Sequence, residues 1–222
     1  MSQAKNFING EGDAWFNRNV EAVTKGEDNT RKILVDWCTP FKKSISNILE
    51  VGAGSGHPLA YISEKLDAKS EGIEPSKQAV ELWNKNKIQI KGGINTNLRV
   101  GTANLLPYEN KKFDLLVFGF CLYLVDREDL FQSISEADRV LKNNGLLAII
   151  DFDPLKPFKN EYSHKENIFS FKNNYSNIFL ASGHYSLMYK HSFSHHDKIF
   201  HADVNERLSL SLLFKEEETI YK

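Results

Sequence analysis

The stretch "ILEVGAGSGHPLA" (48–60) constrains this chain more than any other. An apolar run ends at Glu50 and Val51, and Gly52, Gly54 and Gly56 follow at every second position. Pro58 then opens a helical pattern through residue 66, and proline is tolerated in a first helical turn. Glycines placed this way let backbone pass close to a ligand and take up conformations closed to other residues.

The alternation continues. Strands are predicted over 46–51, 69–74, 96–101, 113–120 and 146–152. Helices are predicted over 58–66, 76–86 with Ser76 as N-cap, and 127–142, where apolar residues recur on one face. Strands alternating with helices imply parallel βαβ units, and continuous apolar strands imply a sheet covered on both faces. The link from the third strand to the fourth is too short for much helix. Residues 29–38 ("NTRKILVDWC") carry a further helical pattern. Beyond residue 152 the pattern changes: 153–167 reads as loop and 171–183 as a helix closed by Gly183. Residues 185–193 and 206–215 read as strands that pair as a hairpin-like edge. Residues 1–27 read as a polar cap segment.

Composition limits the partners. A net charge of −1 gives a polyanion nothing to bind, so no nucleic-acid partner is expected. Two cysteines, Cys38 and Cys121, lie far apart and offer neither a disulfide framework nor a zinc motif. No apolar run reaches the length of a membrane helix, and the opening residues lack the apolar core of a secretion signal. The expected location is the cytoplasm.

Gly52, Gly54 and Gly56 form G-x-G-x-G. A nicotinamide loop needs glycine where His57 stands, and a phosphate loop needs a lysine that "GSGHPL" lacks. Glu50, just before the glycines, is unwelcome beside a pyrophosphate but suits an ammonium or a cationic sulfur. Glu74 ends the second strand, where a carboxylate can accept both hydroxyls of a ribose. Either glutamate alone reads as a solvated surface acid; flanking one glycine loop, the two point to a cofactor.

With these residues in place, "ILEVGAGSG", "EGIEPS", "VGTANLLPYENKKFDLLVFGFCLYLVD" and "VLKNNGLLAIIDFDP" resemble the class I S-adenosylmethionine-dependent methyltransferases, in family order from about 46 to 154. The resemblance implies an α/β Rossmann-like fold: a seven-stranded, mostly parallel sheet of order 3-2-1-4-5-7-6 with helices on both faces. It implies one methyltransferase domain over 1–222, with an N-terminal cap (1–27) and an acceptor-side insertion (about 153–183). The implied cofactor is S-adenosyl-L-methionine, leaving S-adenosyl-L-homocysteine as product.

By position, the resemblance has Glu50 and the backbone of Gly52, Ala53, Gly54 and Gly56 lining the methionine part. Glu74 binds ribose, Pro75 packs on adenine, and Thr102 and Ala103 form the adenine-reading turn. Phe118 and Gly119 lie under the methionine moiety. Two departures stand out: Thr102 where an aspartate is common, and Tyr123 where a histidine often stands.

Methyl transfer is an in-line displacement, so alignment does most of the work and a base is needed only if the acceptor must lose a proton. Candidate acceptor-side groups are Tyr123, Asp151 and Asp153 beyond strand ends. Among the seven histidines, His164 is the candidate base. The run His191 to His201 reads as an exposed connection, with no metal expected. Trp15 and Phe16 read as a lid that excludes water, with Arg18 meeting a carboxylate or phosphate. The segment "NGEGDAWFNRN" is similar to small methyltransferases of surface-polysaccharide and sugar-nucleotide pathways, which implies a small-molecule acceptor, down to a phosphoramidate intermediate of a capsule. The competing class is a non-catalytic protein that senses the cofactor or supports a partner.

Overall fold

The computed structural model describes residues 2–24, 28–195 and 199–216. Five parallel strands form most of one sheet: β1 (Asn47–Val51), β2 (Lys69–Glu74), β3 (Thr96–Val100), β4 (Phe113–Gly119) and β5 (Leu141–Phe152). Two late strands, β8 (Tyr185–Ser194) and β9 (Arg207–Lys215), complete it after a separate hairpin, β6 (Phe158–Glu161) with β7 (Phe169–Lys172). The order is β3-β2-β1-β4-β5-β9-β8, with β9 antiparallel to both neighbours. With the hairpin set aside, this is the predicted seven-stranded arrangement.

The helices are α1 (Gln3–Asn6), α2 (Gly12–Val23), α3 (Asn29–Cys38), α4 (His57–Leu66), α5 (Lys77–Asn86), α6 (Arg127–Val140) and α7 (Ser176–Ala181). Among the described residues, none is long and apolar enough to cross a membrane. Ser76 caps α5 by accepting from the Ala79 N–H, which satisfies a donor that the first helical turn leaves free.

Side chains alternate across each strand, so β1 feeds two cores. Ile48 packs with Leu34, Leu59, Ile62 and Trp83 on the face of α3, α4 and α5. Leu49 and Val51 pack with Phe118, Leu130 and Val140 on the opposite face, that of α6. Burial on both faces explains why these strands read as unbroken apolar runs.

Two expectations are corrected. Residues 153–183 are not a loop followed by a long helix, because Phe169–Lys172 pairs with Phe158–Glu161 and helix occupies only Ser176–Ala181. Alternation of Phe169 and Phe171 marks a strand, and the helical pattern starts later. The helix predicted over 127–142 ends at Val140, and residues 143–145 fall inside β5, as an irregularity in its pairing with β4. Within the cap segment, for which no elements were predicted, α1 and α2 join through a π-type turn at Phe7–Glu11.

Candidate functional site

The order of the sheet reverses between β1 and β4, both of which pair from the centre outward. Ligands bind beyond the carboxyl ends of strands at such a switch point. A cleft of about 780 Å³, counted to its open mouth, lies there. Its wall includes Val51, Gly52 and Gly54 at and beyond the end of β1, Ile73, Glu74 and Pro75 at the end of β2, Gly101 to Asn104 after β3, and Gly119 to Cys121 at and beyond the end of β4. Ala4, Phe7, Gly12 and Trp15 of the cap form another side, and Asp126, Asp129 and Ser133 of α6 and its approach form a third.

Glu74 is buried at the centre of this wall. Its Oε2 accepts from the Gly54 N–H at 2.8 Å and its Oε1 from the Ser76 N–H at 2.9 Å. Each carboxylate oxygen can accept a second donor, so two hydroxyl groups fit the remaining capacity. Burial pushes the Glu74 carboxyl up to about 7, against the pull of those two N–H groups. A donor that hydrogen-bonds this carboxyl favours its ionised form, so such a ligand is expected to release a proton on binding and to bind more tightly as pH rises through 7, which calorimetry in two buffers would show.

Glu50 stands behind the wall. It shares the α3 face of β1 with Ile48 and is 0% exposed. Its Oε1 accepts from Arg31 Nη2 at 2.7 Å. Burial holds the Glu50 carboxyl above its ordinary value, with Arg31 pulling the other way. The pair lies directly on Gly119: a Cβ there would stand 2.5 Å from Glu50 Oε1 and 3.1 Å from Arg31 Nη2. Glycine is what lets a wall of the cleft close over a buried ion pair. Next to it, Phe120 adopts φ +51, a left-handed conformation rare for a bulky residue. Such strain collects at functional sites, and here it turns the chain so that Gly119, Phe120 and Cys121 all reach the cleft.

Arg31 was not among the expected residues. Its signal was spacing: Arg31, Leu34, Val35 and Cys38 recur on the one buried face of α3. Phe7 and the α6 residues were also unforeseen.

The cleft gathers Gly52, Gly54, Glu74, Pro75, Thr102, Ala103, Gly119 and Trp15 of the expected set. The others lie elsewhere. Ala53 is in the core, and Gly56 packs against the Trp83 ring. Phe118 belongs to the core on the α6 face, 6.4 Å from the Phe179 ring, because strand alternation turns it away from its neighbour Gly119. Phe16 is buried at 4% exposure and does not line the cleft. Arg18 meets a carboxylate within the chain, Glu11 at 2.6 Å, and also donates to the Tyr162 hydroxyl at 3.0 Å.

The acceptor-side candidates are scattered. The Tyr123 ring packs edge-on to Phe152 at 5.1 Å, and burial pushes its phenol up. His164 is exposed in the β6–β7 turn, 5.3 Å from the Tyr162 ring. Asp153 pairs with Lys190 at 2.8 Å. Asp151 is buried, accepting from the Phe152 and Tyr123 N–H groups. None of the four lines the cleft. Among the described residues, no group of three or more His, Cys, Asp or Glu side chains could hold a metal ion, and His196 lies outside those residues.

The cap is tied down on two sides. Asp13 accepts from the Ser76 hydroxyl and the Gln78 N–H, fixing α2 over the turn that carries Glu74. The Gln3 side chain donates to the Leu124 and Phe169 carbonyls and accepts from the Phe169 N–H, joining α1 to the β6–β7 hairpin.

Residues 49–149 match the model of a family described as a methyltransferase domain. YcgJ of Bacillus subtilis, an uncharacterized methyltransferase, is 28% identical over 152 residues, 68% of this chain and 56% of that protein. The crystal structure of YcgJ superposes with a TM-score of 0.61 at 15% identity, covering 86% of this chain and all of that one. The 1,6-didemethyltoxoflavin N1-methyltransferase of Burkholderia thailandensis, solved with 1,6-didemethyltoxoflavin and S-adenosylhomocysteine, superposes with a TM-score of 0.69 at 14% identity, covering 96% of this chain and 87% of that one. The chain spans about half the length of the curated relatives it matches. At such identities the solved structures establish the fold. The family model that matches the middle of the chain and the relatives named above are those of methyltransferases.

Proposed function

We propose that this chain transfers a methyl group from S-adenosylmethionine to an oxygen or nitrogen atom of a small molecule. The observation that carries the proposal is the cleft at the switch point, with buried Glu74 presenting spare acceptor capacity between the glycine turn and the turn after β3.

When bound, the cofactor supplies a methyl group activated on a sulfonium. The chain's part is to hold and align. Glu74 accepts the two ribose hydroxyls, Pro75 and Ala103 flank the base, and the backbone at Gly52, Gly54 and Gly119 borders the methionine end. Phe7 and Trp15, on the cap, exclude water from the reacting atoms. Holding donor and acceptor in line converts a bimolecular step into an effectively unimolecular one. A neutral amine acceptor can attack before it loses a proton and needs no base for that step, whereas a hydroxyl acceptor must give up its proton.

The narrower acceptor follows from the resemblance of the opening segment: a nucleotide-linked or phosphoramidate intermediate of capsule or surface-glycan assembly. No Lys, Arg or His is among the described residues that line the cleft, so the anionic part of such an acceptor stays at the mouth.

The test is turnover. The protein, given S-adenosylmethionine and a panel of amines, sugars and sugar nucleotides, is expected to release S-adenosylhomocysteine with at least one acceptor class, read by mass spectrometry. Binding of both cofactor forms without turnover on any acceptor would instead favour a cofactor sensor or partner protein.

A further inference from the structure

The turn after β3 lacks the side chain that the resemblance puts there to take the amino group of adenine. Thr102 stands at that position, and its hydroxyl donates to Asn104 Oδ1 at 2.7 Å. With its proton spent inside the turn, it can offer a base only a neutral acceptor, weaker than a carboxylate.

The opposite side of the same space is formed by α6. Glu136 accepts from the Leu106 N–H at 2.8 Å, and Arg139 donates to the Leu106 and Tyr108 carbonyls at 3.0 and 2.7 Å. These bonds clamp α6 to the segment that follows β3. Asp129, Ser133 and Glu136 are spaced i, i+4 and i+7, which places them on one helix face. That face is therefore turned towards the 102–106 segment. Ser133 spends its hydroxyl proton on the Asp129 carbonyl at 2.9 Å. The Asp129 side chain accepts no hydrogen bond and pairs with no cation among the described residues. It is partly buried, and it lines the cleft together with Thr102, Ala103 and Asn104.

We propose that Asp129 reads the adenine of the cofactor, its carboxylate accepting from the exocyclic amino group in place of the acidic side chain that the turn after β3 lacks. The proposal rests on the cofactor assignment above. It moves base recognition from the loop after β3 to the first turn of α6, so selection of adenine depends on how α6 is clamped. Glu136 and Arg139 are then positioning residues for that contact.

The test compares S-adenosylhomocysteine with S-inosylhomocysteine, in which a carbonyl oxygen replaces the amino donor. Both are titrated by calorimetry into the full chain, into Asp129→Ala and into Thr102→Val. The wild type is expected to prefer the adenine form about tenfold or more, the usual range for a hydrogen bond to a charged group. Asp129→Ala is expected to bring the two ligands to within about twofold of each other. Thr102→Val should keep the preference. Equal weakening of both ligands in Asp129→Ala would reduce Asp129 to a helix-terminus charge and overturn the proposal. So would an undiminished preference in that variant. Absence of S-adenosylhomocysteine binding to the folded wild type would remove the cofactor reading itself and this inference with it.

Discussion

Replacing Arg31 by leucine is expected to lower the free energy of unfolding by about 3–5 kcal/mol, the cost of leaving one member of a buried ion pair without its partner. Glu50 is wholly buried near the carboxyl end of β1, and Arg31 is its one hydrogen-bond partner among the described residues, at 2.7 Å. The surviving carboxyl escapes by keeping its proton, so its folded-state pKa rises further above the unfolded value. A group shifted that way contributes stability that is full at low pH and lost as pH rises through the folded pKa. The deficit of Arg31→Leu is therefore smallest in acid and largest above neutrality. Combining Arg31→Met with Glu50→Gln removes both charges and should recover much of the loss. Urea denaturation of the three proteins at two pH values is the check. A single variant within about 1 kcal/mol of wild type at pH 8 would contradict the pairing.

Gly56→Ala is expected to cost about 2–4 kcal/mol, through two separate effects. Gly56 sits at φ +79, a conformation that charges any residue with a Cβ. That Cβ would also stand 2.6 to 3.0 Å from carbons of the Trp83 ring. Trp83 is 1% exposed and donates its indole N–H to the Thr96 carbonyl, so it has little room to retreat. Thermal unfolding of the variant should show a clear fall in midpoint. An unchanged midpoint would mean that the ring shifts freely and that the third glycine is not there for packing.

Gly56 illustrates what the sequence conveys and what it hides. Three evenly spaced glycines announce a loop that a ligand can approach, yet they serve different ends. Gly52 and Gly54 border the cleft, whereas Gly56 lets the start of α4 lie on a tryptophan 27 residues away in sequence. The main sheet is legible because its strands are buried on both faces and so form apolar runs. The Ser76 cap is legible because its bond is local. The β6–β7 hairpin is not, because its four-residue strands are largely polar. Its support is tertiary, with the Lys159 ammonium over the Phe169 ring and the Gln3 side chain bonded to Phe169 backbone.

The cleft was legible where its lining residues sit at or just past strand ends, as Glu74, Thr102 and Gly119 do. Placing Phe118 in the cleft beside Gly119 neglects that adjacent residues of a strand face opposite ways. Arg31 escaped notice because an arginine near a helix start reads as solvated; only its spacing with Leu34, Val35 and Cys38 marks it as buried. The contribution of α6 could not be read at all, since Asp129 reaches the cleft through the contacts of Glu136 and Arg139 with the segment after β3.

The central claim is that the cleft around Glu74 holds the methyl donor. Calorimetric titration of S-adenosylmethionine and S-adenosylhomocysteine into the wild type and Glu74→Ala, at pH 6 and pH 8, tests it most directly. The account predicts one site for each ligand and tighter wild-type binding at pH 8, with proton release. It also predicts a loss of about 1–3 kcal/mol in Glu74→Ala, whose affinity no longer changes with pH in that way. Folded protein that binds neither ligand, or that binds a nicotinamide dinucleotide in their place, would contradict it.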